Sequence, residues 1–189
     1  MSPRVRDESV HPRLQSGASG RPLNFTVRRL VNPVVIALAI CTAGAVAEVL
    51  AAGTGVRERF AELCLPRHSP PLEVWVAVGI LYYAVCFIVA YRLLRGSWNP
   101  VRSLPLALLL VLMTANALWN YLFFRRKALG ASAAAFVPYT ILAFVLFVSL
   151  LGVDRVASWA FFLYLVYLFY AAWWLFALRR ANTTSERAA

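Results

Sequence analysis

Five apolar runs separated by short polar turns make up most of the chain, at about 33–52, 74–94, 105–124, 131–153 and 156–178. At 1.5 Å per helical residue, each is long enough to cross a hydrocarbon core of about 30 Å, so each predicts a transmembrane helix. Pro70-Pro71, Arg95-Gly96-Ser97-Trp98-Asn99-Pro100, Arg125-Arg126-Lys127 and Asp154-Arg155 put the prolines and charges between the runs, where water and headgroups accept them. The predicted fold is an all-α membrane protein, a bundle of five transmembrane helices over 31–180. A basic tail, 1–30, precedes it and is expected to be disordered, because its prolines, glycines and arginines leave little to bury. A polar tail, 181–189, follows.

Polar and aromatic positions inside the runs mark the faces that look inward. Asn116, Trp119, Asn120 and Phe123 fall at i, i+3, i+4 and i+7 of the third run and share one helical face. An amide in hydrocarbon without a partner costs several kcal/mol, so this face is expected to meet other helices or a ligand. Polar glue between helices and one wall of a pocket are both open on this evidence. In the second run Tyr82 and Tyr83 lie mid-membrane, where at least one hydroxyl must turn inward for a partner. Tyr164, Tyr167, Ala171 and Trp174 form a stripe on the fifth run that suits either packing or a flat ligand.

The first run carries one acid, Glu48, about one turn from its end, and snorkelling to the interface is the expected role. Ala39, Ala43, Ala47 and Ala51 repeat every four residues there, a small-residue stripe that suits close helix approach and a homodimer. Between the first two runs, Val56, Phe60, Leu63 and Cys64 are spaced as one face of a short interfacial helix, either a lid or a linker on headgroups. Trp75 and Tyr91 near opposite ends of the second run fit aromatic belts.

Composition agrees with a membrane setting. The 189 residues are 61% hydrophobic, with a mean hydropathy of +0.68, far too apolar for a soluble domain of this length. The net charge of +11 resides in tails and turns, so the expected partner is membrane lipid and not nucleic acid. Ten basic residues fall on one side of the bundle and nine on the other, which leaves orientation open. Cys41 and Cys86 lie in apolar runs, so no disulfide framework is expected; Cys64 and His68 lack a second pair for a metal. The basic tail has no short apolar core followed by a cleavage site, so no cleaved signal peptide is expected.

The stretch from Asn116 to Phe124, with Asn-x-x-Trp-x-x-Leu-Phe-Phe, resembles the third-helix signature of the translocator protein family. Members are also called tryptophan-rich sensory proteins or peripheral-type benzodiazepine receptors. Val153-Asp154-Arg155-Val156-Ala157 leading to Leu163-Tyr164-Leu165-Val166-Tyr167 is similar to the family's fifth helix, and Pro70-Pro71 with Leu81-Tyr82 to its second. The resemblance covers about 31–182. It implies a five-helix bundle whose pocket opens toward the long first loop and takes tetrapyrroles such as protoporphyrin IX or haem, sterols in some members, and synthetic aromatic ligands. Carried over, Asn116 is the pocket amide, Trp119 and Phe123 are third-helix aromatics, and Tyr164 and Ala171 are the fifth-helix wall; Tyr82 and Tyr167 join them as candidate ligand contacts. Tyr167 stands where the family has a tryptophan, Trp174-Leu175 replaces a Leu-Asn pair, and the second-helix tryptophans are absent, with Trp75 shifted.

The expected function is a membrane receptor or transporter for a planar hydrophobic ligand. The alternatives are a light- and oxygen-dependent porphyrin-degrading enzyme and a non-catalytic regulator acting through partner proteins. Among the runs there are no paired carboxylates, metal ligands or nucleophile–base pairs, so no catalytic residue is assigned. A bacterial cell membrane is the expected location.

Overall fold

The computed structural model describes residues 23–96 and 99–188. Its elements are α1 (Leu23–Ala52), α2 (Val56–Glu62), α3 (Leu72–Arg95), α4 (Pro100–Asn120), a π-helical turn (Tyr121–Arg125), α5 (Leu129–Leu151) and α6 (Arg155–Ala188). Among the described residues there is no strand. Among the described residues five segments are long and apolar enough to span a membrane: Pro33–Ala52, Leu72–Arg95, Pro100–Arg125, Leu129–Leu151 and Arg155–Thr183.

Two boundaries differ from expectation. Helix α1 begins at Leu23, inside the stretch expected to be disordered, because Leu23-Asn24-Phe25 and Val27 continue a helical run into the apolar segment. The rest of that tail, 1–22, lies outside the described residues. Helix α6 continues to Ala188 through the stretch expected to be a tail, and Asn182 on this extension has a structural task described below.

The helices close into a ring in which α1 touches α3 and α4, α3 touches α6, and α5 joins α6 to α4. Large apolar side chains such as Leu38, Val49, Phe144, Leu163 and Phe169 point outward, as they do when lipid is the solvent. One end of the ring is packed solid. There Cys86, Val89, Leu109, Leu112, Leu146, Leu150 and Phe161 are fully buried, and Ala90, Ala143 and Ala157 let the backbones approach. Arg92 fastens this end, with Nη2 2.9 Å from the Asp154 carboxylate. Asp154 also caps α6 by accepting from the Ala157 N–H at 3.0 Å.

At the other end the side chains part. Helix α1 stops at Gly53, whose φ of +75° is the left-handed conformation that glycine adopts freely. The chain then makes α2 and a loop back to α3, which together lie over the opening. Gly44 sets the spacing of α1 against its neighbours, since a Cβ there would collide with the tip of Met113 and press on the Tyr83 ring.

Candidate functional site

The open half of the bundle encloses a cavity of about 150 Å³. Asn116, Trp119, Phe123, Tyr164, Tyr167, Ala171 and Tyr82, the candidates from the sequence, all line it. They come together because the shared face of α4 and the stripe of α6 look at each other across the ring. The π-helical turn that ends α4 adds one residue to the helical register, and Phe123 and Phe124 both reach the cavity from it.

Glu48 is the main correction. It does not snorkel to the interface but turns into the bundle and lines the cavity. Its Oε2 accepts from the Tyr83 hydroxyl at 2.7 Å and from Asn116 Nδ2 at 2.8 Å. Its Oε1 accepts from Asn120 Nδ2 at 3.0 Å. Three donors at hydrogen-bonding distance hold a carboxylate more firmly than a one-turn reach to water. Asn116 and Asn120 therefore bind a neighbouring helix and line the cavity at once.

Trp75 is the second correction. It is not a belt residue. It lines the cavity, and its ring sits 4.4 Å from that of Trp174 and 6.5 Å from that of Tyr167. Trp174 is in turn stacked 6.4 Å from Phe60 of α2 and donates from Nε1 to the Ser69 Oγ at 2.8 Å. With Trp119, three tryptophans thus stand in the cavity wall.

The floor contains residues that were not singled out in the sequence. Tyr139 and Tyr164 join their hydroxyls in a hydrogen bond, and Phe136 lies beside them. Ser132, Phe136, Tyr139 and Ala143 occupy one buried face of α5 at i, i+4, i+7 and i+11, a spacing legible in the sequence. Tyr82 packs its ring 5.1 Å from that of Tyr164. The Tyr82 hydroxyl and Trp75 Nε1 are buried without a hydrogen-bond partner. Trp119 spends its Nε1–H on the Ser132 carbonyl at 3.0 Å.

Helix α2 and the loop behind it cover the mouth and are held from two sides. Arg59, buried on α2, donates to the Lys127 carbonyl at 3.1 Å, and Lys127 Nζ returns to the Glu62 carboxylate at 2.7 Å. Lys127 sits at φ 51° to make the turn into α5. On the other side Asn182 accepts from the Cys64 N–H and donates to the Cys64 carbonyl, both at 3.1 Å. Of the helix face expected from Val56, Phe60, Leu63 and Cys64, the structure forms a helix only to Glu62; Phe60 on it and Leu63 just after it are buried, whereas Cys64 lies beyond the helix and is exposed.

A groove of about 540 Å³ opens between α1 and α3 beside the cavity, and Glu48, Leu72, Trp75, Gly79, Asn120 and Phe124 border both spaces. Among the described residues no group of three or more His, Cys, Asp or Glu side chains is placed to hold a metal ion.

The model of the TspO/MBR family matches residues 35–180, most of the chain and all of the cavity wall. The chain belongs to that family. A search of curated proteins gives no match. Family membership and the five apolar helices agree on an integral, multi-pass membrane protein.

Proposed function

We propose that this chain binds a planar hydrophobic ligand, a tetrapyrrole such as protoporphyrin IX or haem, or a sterol-like molecule, inside the helix bundle, as a receptor or transporter in a bacterial cell membrane. The observation that carries this is the aromatic wall of the cavity, with Trp75, Trp119, Phe123, Tyr164, Tyr167 and Trp174 set around the polar group of Glu48, Asn116 and Asn120. Flat ring systems gain area-driven affinity from such walls, while the few polar groups fix their orientation.

The resting cavity of about 150 Å³ is of the size that holds a benzene ring, so a tetrapyrrole requires the mouth to open. Phe60 and Trp174 are the side chains to move, since their stacked rings join the lid to the wall. Titration with protoporphyrin IX tests the proposal. Binding is expected to saturate in the native protein and to weaken in Asn116→Leu, which removes a wall amide.

Light- and oxygen-dependent breakdown of a bound porphyrin is a second reading, favoured by the Trp75–Trp174 contact, which puts two oxidisable rings in the wall. Product formed under illumination, and lost in Trp174→Phe, would support it. A homodimer is favoured by Ala39, Ala43 and Ala47, whose exposed side chains on α1 leave room for a second helix.

A further inference from the structure

We infer that Glu48 makes this a site for a positively charged planar ligand, with an ammonium or protonated ring nitrogen set against the carboxylate and the ring body among the tryptophans. This rests on the pocket proposed above and sets a preference within it: among flat rings of equal area the cationic one binds most tightly, while a tetrapyrrole that carries carboxylates binds through its ring area alone.

Three observations meet at Glu48. Its donors, Tyr83, Asn116 and Asn120, are all neutral, so they orient the carboxyl group and bring no compensating charge. Among the described residues, the ion pairs are Arg59–Glu62, Lys127–Glu62 and Arg92–Asp154, and none involves Glu48. A carboxyl lining an apolar cavity with no cation of its own is balanced either by a proton or by a cation from outside, and a ligand cation that takes the proton's place gains the pair that low dielectric strengthens.

The surroundings suit such a partner. Trp75, Trp119 and Trp174 line the same cavity, and indole faces attract cations through the ring quadrupole. Oε2 accepts two bonds and is filled, whereas Oε1 accepts only one and keeps a lone pair for a further donor. Glu48 also borders the groove between α1 and α3. A lipid-dissolved cation can therefore reach the carboxylate from the side of the bundle, past Gly79, where even a Cβ would meet nothing within 4 Å.

Three planar probes of one shape separate charge from area: 9-aminoacridine, which is cationic; anthracene, which is neutral; and anthracene-9-carboxylate, which is anionic. Each is titrated by fluorescence into the full chain in phosphatidylcholine nanodiscs, with empty nanodiscs subtracted. The native protein is expected to bind the cation about tenfold more tightly than the neutral ring, with the anion weakest. Glu48→Gln keeps the side-chain shape and an acceptor and is expected to bring cation and neutral ring to within about threefold.

If the native protein binds anthracene as tightly as 9-aminoacridine, the inference falls, and this arm needs no variant. The same holds if Glu48→Gln leaves the ratio unchanged. When anthracene still saturates and Ala171→Phe blocks it, the pocket stands and only the charge preference is lost. When no probe saturates in the native protein, the pocket itself fails and the inference goes with it.

Discussion

Asn116 Nδ2 donates to Glu48 Oε2 over 2.8 Å, across 68 residues of sequence, and this bond ties the first membrane helix to the wall of the cavity. With Asn120 and Tyr83 it forms a polar knot at the level where the packed half of the bundle gives way to the open half. Breaking it exposes three donors at once. Glu48→Ala is expected to lower stability by about 1–3 kcal/mol, with Glu48→Gln costing less because one acceptor oxygen remains. Thermal unfolding in detergent, followed by helical circular dichroism, measures the difference; equal losses for the two variants would show that the hydrogen bonds contribute little.

The lid is held by Asn182 on one side and Lys127 on the other, so either anchor controls access. Asn182→Ala and Lys127→Ala are each expected to speed exchange of α2 amide hydrogens and ligand release, leaving the transmembrane amides protected. Hydrogen exchange with peptide-level readout checks this. The Lys127 effect is also expected to shrink in high salt, because the Glu62 pair is exposed.

The packed end should be acid-sensitive through Asp154. Burial pushes this carboxyl up, but hydrogen bonds from Arg92, the Ala157 N–H and the Arg92 charge together hold it below its ordinary 3.8. A carboxyl lowered on folding contributes stability that is fully present above the unfolded value and is lost as pH falls through the folded one. Asp154→Ala is expected to cost about 1–2 kcal/mol near neutral pH, through the lost cap and ion pair. Native and variant melting temperatures should converge below about pH 3; a constant gap from pH 7 downward would exclude the ion pair as the cause.

If the outward alanines of α1 form a contact between copies, Ala43→Leu and Ala47→Leu should shift the protein from dimer to monomer. Ligand affinity should stay unchanged, because these side chains are exposed on the outside of the bundle. Mass photometry in nanodiscs reads the oligomeric state directly. A monomer in the native protein would remove the basis for a dimer.

Much of this arrangement was legible in the sequence. Apolar runs and the turns between them give the five spans, and helical spacing alone places Asn116, Trp119, Asn120 and Phe123 on one face. Sequence position alone points Glu48 outward, because one turn from the end of its run a carboxylate can reach water. What turns it inward is donors 35, 68 and 72 residues away, and no local pattern carries that. Trp75 fits a belt on sequence for a similar reason: depth near a helix end is visible there, whereas rotation about the axis is set by Trp174 on α6. The helical extension to Asn182 was hidden by its polar composition, which does not reveal that an amide there meets the backbone of Cys64.

The central claim is that the space between α4 and α6 receives a planar ligand, and filling that space tests it most directly. Ala171 is a small residue in the cavity wall, and Ala171→Phe puts a ring there without touching the Glu48 knot. Three of the six tryptophans, Trp75, Trp119 and Trp174, line the cavity, so a bound porphyrin should quench the protein's emission. Titrated with protoporphyrin IX in nanodiscs, the native protein is expected to show saturable quenching with one ligand per chain, and Ala171→Phe to lose it. Quenching that rises linearly and identically in both proteins would mean that the porphyrin only dissolves in the lipid and that the cavity does not receive it.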